Sequence, residues 1–199
     1  MTHSYNNRMG TSAHPRLENL LASLTLNLAE EARAALEEAA GLSGSAAVAL
    51  VALEEFLGDA HVGRLAEVMG VTHSGAVRLV TQLEREGLAE RRAGGDRRRV
   101  EVRLTALGHG RAAEARAARD AVVRRAVAGL TETDADALEG LLDQLVSARV
   151  EARVEARRAG APGGAWWCRT CDFAACGRPE GRCPAQVTAA AAMSEGTAE

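Results

Sequence analysis

The chain contains no lysine; all 24 of its basic residues are arginine. GC-rich coding accounts for much of such a bias, but arginine is also the better ligand for phosphate and for a narrow DNA minor groove. Aromatic residues are scarce, at 3%. Strands favour aromatic and β-branched side chains, so a core of Leu, Val and Ala points to closely packed helices and away from a sheet-rich fold. The longest apolar run, residues 46–53, has eight residues. That is too few to span a bilayer, and the run lacks the flanks of a targeting segment, so the expected location is the cytoplasm, with no membrane partner. Also missing are H-E-x-x-H, a nucleophile elbow and a phosphate-binding glycine loop, which removes the enzyme classes built on them. The five histidines, His3, His14, His61, His73 and His109, show no metal-ligand spacing.

A length of 199 residues holds one ordinary domain or a domain with an appendage. The net charge of -3 argues against a nucleic-acid partner until its distribution is considered. Between positions 85 and 103 there are seven Arg against Glu86, Glu90, Asp96 and Glu101, whereas the first helix and residues 131–143 carry an acidic excess. A basic element on an acidic protein can bind phosphates while limiting nonspecific adhesion.

The first 14 residues are polar and expected to be disordered. Pro15 suits a first helical position, and Leu17, Leu20, Leu21, Leu24, Leu28, Ala32, Ala35, Leu36 and Ala39 then recur at helical spacing until Gly41. A second helix begins near Ser45 with Leu50, Leu53 and Phe56 on its apolar face; a third covers 62–69 and a fourth 72–86. Thr105 is placed to cap a long Ala/Arg-rich helix that reaches about Val127. Thr131 and Asp134 have capping-box-like spacing at the head of a last helix, whose stripe is Leu138, Leu141, Leu142, Leu145, Val146, Val150 and Val154.

Residues 94–108, GGDRRRVEVRLTALG, are the most informative stretch. Val100, Val102 and Leu104 alternate with Arg99, Glu101 and Arg103 as in a half-buried antiparallel strand. Residues 88–93 supply its partner, with Gly94 and Gly95 at the hairpin tip. Two helices joined by a short Gly-containing turn lie directly upstream, so the order is helix, turn, helix, basic hairpin: a winged helix-turn-helix. The second helix of such a unit enters the major groove by its N-terminal end. That presents Thr72, His73, Ser74, Arg78 and Thr81 or Gln82, and Arg78 is suited to a bidentate contact with guanine. Ala76, Val77, Val80 and Leu83 have the spacing of its buried face, with Leu65, Ala66 and Val71 beneath.

Asp96-x-Arg98 followed by Leu104-Thr105-x-x-Gly108, together with LAEVMGVTHSGAVRLVTQLEREGL at 65–88, resembles MarR-type transcriptional regulators over roughly residues 15–158. The resemblance implies a mainly α fold: a winged helix-turn-helix (about 45–105) with a small two-stranded β-wing, and long dimerisation helices (about 15–40 and 105–158) that interlock two subunits. It implies a homodimeric repressor on a palindromic double-stranded operator, released by a small-molecule effector, and not an enzyme. It implies DNA contacts from Thr72, His73 and Ser74, a wing loop held by Asp96, and Arg98 or Arg97 in the minor groove. Arg91, Arg92 and Arg99 are further candidates for phosphate contacts.

The segment after position 159 departs from that pattern. Residues 159–165 read as a linker, 166–184 as a compact cysteine module and 185–199 as a disordered Ala-rich tail. Cys168, Cys171, Cys176 and Cys183 have the spacing C-x2-C-x4-C-x6-C, close enough for four thiolates to converge on one tetrahedral ion. In a reducing compartment metal explains such clustering better than disulfides do. Zinc is the first expectation. An iron-sulfur cluster, a metal-free thiol switch and an inert tail remain open, as does a metal-handling or redox-sensing protein in which the winged helix serves protein interaction.

Overall fold

The computed structural model describes residues 13–58, 60–93, 100–162 and 164–195. Helix α1, Pro15–Ala40, starts on its proline and ends at Gly41, which takes the left-handed conformation. Helix α2, Ser45–Ala52, runs on into a single π-helical turn, Leu53–Leu57; the Phe56 side chain lies outside the described set. A two-residue strand β1, Ala60–His61, precedes α3, Val62–Met69, and α4, His73–Arg85. Strands β2, Ala89–Ala93, and β3, Val100–Leu104, lead into α5, Ala106–Val127, and α6, Glu132–Arg158. A 3-10 turn, Trp167–Thr170, and helix α7, Pro184–Glu195, complete the chain.

Two expectations are corrected and one is extended. The expected two-stranded wing, β2 and β3 with Ala89 opposite Leu104, is joined by β1 as a third antiparallel strand in the order β1-β3-β2, with Ala60 opposite Val102. A two-residue strand carries no periodicity for a sequence to reveal. The tail expected to be disordered from position 185 is helical to Glu195: alanine has the highest helix propensity, Pro184 fits the first turn, and α7 packs on α6. Val100 and Val77, assigned to buried faces, are 45% and 36% exposed, because both line the open groove between α4 and the wing. The expected disorder of the first residues concerns positions that, up to residue 12, lie outside the described set.

The core lies where α2, α3, α4 and the sheet meet. Leu50, Leu53, Leu65, Val68, Val80, Leu83 and Val102 are fully buried, and no polar or charged residue is buried among those described. Helices α1 and α5 pack together through Leu36, Ala40, Ala112 and Ala115, where the small alanines let the helices approach closely. Leu17, Leu20, Leu21, Leu24 and Leu26 on α1, and Leu141, Leu142 and Leu145 on α6, remain exposed.

Candidate nucleic-acid interface and cysteine module

Capping fixes the two helices of the reading unit. The Arg64 N–H donates to His61 Nδ1 at the start of α3 (2.9 Å), and the Gly75 N–H donates to Thr72 Oγ1 at the start of α4 (3.1 Å). Between them Gly70 closes α3 at φ 64°, a conformation that costs an ordinary side chain energy. Ala76, Val80 and Leu83 then bury one face of α4. The other face presents His73, Ser74, Val77, Arg78 and Thr81 to solvent, with Gln82 half-buried beside them. Thr72, expected as a DNA contact, caps the helix and pairs with the Ser74 hydroxyl at 3.1 Å, so it presents the helix end where free amides and the helix dipole favour a phosphate.

The wing is tied to this helix. Arg91 reaches from β2 to pair with Glu84 and donates to Thr81 Oγ1 at 3.0 Å. Its guanidinium is therefore engaged by α4, whereas Arg92, among the described residues, pairs with its neighbour Glu90 (2.7 Å) and stays exposed. Asp96, Arg97, Arg98 and Arg99 lie outside the described residues. An open groove of about 630 Å³ separates helix from wing, lined among others by His61, His73, Val77, Thr81, Arg91 and Val100.

The stretch Leu104-Thr105-x-x-Gly108 has a structural reason. Thr105 accepts from the Gly108 N–H (3.1 Å), donates through Oγ1 to the Gly87 carbonyl (2.7 Å) and through its N–H to the Leu88 carbonyl (3.0 Å). A Cβ on Gly108 would lie 2.0 Å from the Leu88 oxygen. These contacts lock the base of the wing to the head of α5.

The four cysteines, all free thiols, line one cavity of about 480 Å³ together with Val127 of α5, Leu130 of the turn that follows it, and Leu138, Leu142 and Val146 of α6. Cys168 lies beside Cys171, and Cys176 beside Cys183. The adjacent Cys171 thiol, with help from the Arg178 cation, brings the Cys168 pKa down to about 6, against the opposing effect of burial. Cys171 is pushed up by its hydrogen bond to Cys168 and by burial, and Cys176 is raised mainly by burial. As the side chains lie, no three His, Cys, Asp or Glu among the described residues surround a common point as a metal ion requires.

The module is not a free appendage. The Trp166 N–H donates to the Val68 carbonyl (2.8 Å) and the Arg64 guanidinium stands 4.1 Å above the indole ring, while the ring joins the main core. Ala165 runs so close to the helix-turn-helix that a Cβ on Gly70 would lie 2.3 Å from its nitrogen. Arg116 bridges Glu55 (3.1 Å) and Asp172 (2.9 Å), and Arg119 donates to the Thr170 carbonyl. The spacer expected at 159–165 is thus pinned at its end by Trp166 against Arg64, a contact across about a hundred positions that leaves no local sequence pattern.

No curated protein sequence matches the chain. Among solved structures, the fold is similar to the YusO protein of Bacillus subtilis (25% identity, TM-score 0.59, covering 67% of this chain and 96% of that one). It is also similar to a MarR family protein of Bacillus stearothermophilus (28%, 0.57, covering 65% and 89%) and to one of Mycobacterium tuberculosis (25%, 0.52, covering 69% and 98%). Those chains are covered almost throughout, while about a third of this one lies beyond the match. With its capped reading helix, the wing latched to it and the wing's locked base, the winged helix is similar to those of these regulators, and residues 40–99, which hold α2 to the wing, match the MarR family.

Proposed function

We propose that this chain is a homodimeric transcriptional regulator that binds a palindromic operator in double-stranded DNA, acts as a repressor in the cytoplasm and is released by a small-molecule effector. Members of the family are DNA-binding transcription regulators, not enzymes. The observation that carries the reading is the solvent-facing side of α4, with His73, Ser74 and Arg78 exposed at its capped end. Strand β2 packs beside it, and the sequence GGDRRR follows that strand. Helix and wing thus offer one surface to a major groove and its flanking minor groove.

Dimerisation is supported by the leucines left exposed on α1 and α6, since a run of uncovered leucines on two long helices is costly in water unless a partner covers it. No single helix among the described residues is long and apolar enough to cross a membrane. A cavity of about 530 Å³ between α1, α2 and the 167–170 turn, lined by Arg33, Arg119 and Arg169, has the size of a small-molecule site.

Gel-shift and anisotropy titrations with DNA from the gene's own neighbourhood test the proposal. Saturable, salt-sensitive binding that outcompetes bulk DNA is the expected result. Binding no tighter than to random duplex at any salt concentration overturns it.

A further inference from the structure

We propose that Cys168, Cys171, Cys176 and Cys183 are the complete ligand set of a thiolate-bound metal centre, zinc or an iron-sulfur cluster, whose occupancy sets how firmly the helix-turn-helix is braced through Trp166.

All four thiols line a single cavity and none is in a disulfide. Each pair sits on its own hydrogen-bonded turn. The Cys171 N–H donates to the Cys168 carbonyl (3.0 Å), and the loop between Cys176 and Cys183 is closed by the Arg182 N–H on the Gly177 carbonyl (2.8 Å). Two short turns with two thiolates apiece are how a chain presents four sulfurs to one centre. Cys183 immediately precedes α7, where the Val187 N–H donates to its carbonyl (3.0 Å), so its sulfur stands at a helix N-terminus. An all-sulfur donor set selects zinc or iron-sulfur chemistry over the harder cations.

The packing supplies the motive. The interior of the module consists of Val150, Cys183 and Ala185 with Val146, Val154, Cys168, Cys176 and Ala189 around them. Thiols make up three of those eight side chains, so a metal cross-link adds the order that so small an apolar set supplies only weakly. The four thiols share one cavity, and metal binding draws the two pairs onto one centre. For zinc, four S–H groups lose their protons to solvent and four Zn–S bonds form, with no electron transferred. The residues that carry the effect to the reading unit are adjacent: Trp166 on Val68 and Arg64 of α3, and Asp172 on Arg116.

The coupling rests on the regulator reading, whereas the metal centre does not, and the experiment separates them. Full-length protein purified anaerobically is assayed for zinc, iron and acid-labile sulfide, then stripped with chelator and titrated with Zn2+ against a chromophoric competitor. The expected result is about one metal centre per chain, colourless with zinc or coloured with labile sulfide, that falls to background in Cys171→Ser and Cys176→Ser. Metal-free protein that takes up no Zn2+ in competition, or thiols recovered as Cys168–Cys171 and Cys176–Cys183 disulfides from the native protein, overturns the centre. In the coupling arm, chelation is expected to weaken operator binding by about tenfold or more in the wild type and to have little effect in Trp166→Ala, which keeps its metal. Operator affinity that ignores chelation in the wild type overturns the coupling alone, and failure of both proteins to bind operator, with metal bound, overturns the regulator reading.

Discussion

At the scale of single residues, the arginines of the reading surface fall into two kinds. Arg78 projects from the exposed face of α4 and is placed for a base contact. Arg78→Ala is expected to cost about 1 to 3 kcal/mol of operator binding and to relax preference at one base pair, with the melting temperature unchanged. Footprinting against single-base operator variants checks this. Arg91 is occupied by Glu84 and Thr81, so its loss should act through the angle of the wing. Arg92, exposed beside Glu90, is the better phosphate ligand, and Arg92→Ala should lower the salt slope of binding by about one. Between β2 and β3 in sequence, Arg98→Ala should weaken binding by a similar 1 to 3 kcal/mol through a lost groove contact, and Asp96→Ala should weaken it as well. If neither variant changes affinity across a salt titration, the hairpin does not meet DNA.

At the scale of elements, the joint between wing and α5 carries the geometry. A methyl at Gly108 would meet the Leu88 carbonyl oxygen, and backbone cannot swing aside as a flexible side chain can. Gly108→Ala is therefore expected to destabilise the fold by about 1 to 3 kcal/mol, and Thr105→Ala by about 1 kcal/mol through loss of the cap. Denaturant titration measures both, and a neutral Gly108→Ala would show that the strand and α5 slide past each other freely. Local signals made most of these elements legible: Pro15 and Gly41 bound α1, Thr105 and Thr131 cap α5 and α6 as their spacing predicts. The helix-turn-helix was legible for the same reason, since its two periodic stretches and its glycine turn are contiguous. What escaped was short or nonlocal. Strand β1 has two residues, α7 hides in a run of alanine, and the Arg91 latch joins β2 to α4 through side chains that look equally suited to DNA.

At the scale of the whole molecule, two faces decide assembly. Periodicity alone implies that residues 15–158 close on themselves, but Trp166 belongs to the main core. Truncation after Ala159 should accordingly lower stability, on the order of 2 kcal/mol or roughly 5 °C in melting temperature for a half-buried tryptophan. A truncated protein as stable as the full chain would show that the module only rests on the surface. The second face is the leucine stripe of α1, where Leu20 and Leu24 lie one turn apart and are 50% and 55% exposed. Fully burying one leucine contributes about 1.5 to 3 kcal/mol, so covering such a stripe on both copies supplies much of what a stable twofold dimer needs. Leu20→Glu combined with Leu24→Glu places charges on that stripe, far in sequence from α4. Light scattering should then show a monomer with an intact fold. Footprinting should show a loss of the paired protection expected of the parent dimer, with half-site centres about 10 bp apart or a multiple of that. A double variant that stays dimeric and protects the same paired half-sites would place the twofold interface on another face of the molecule.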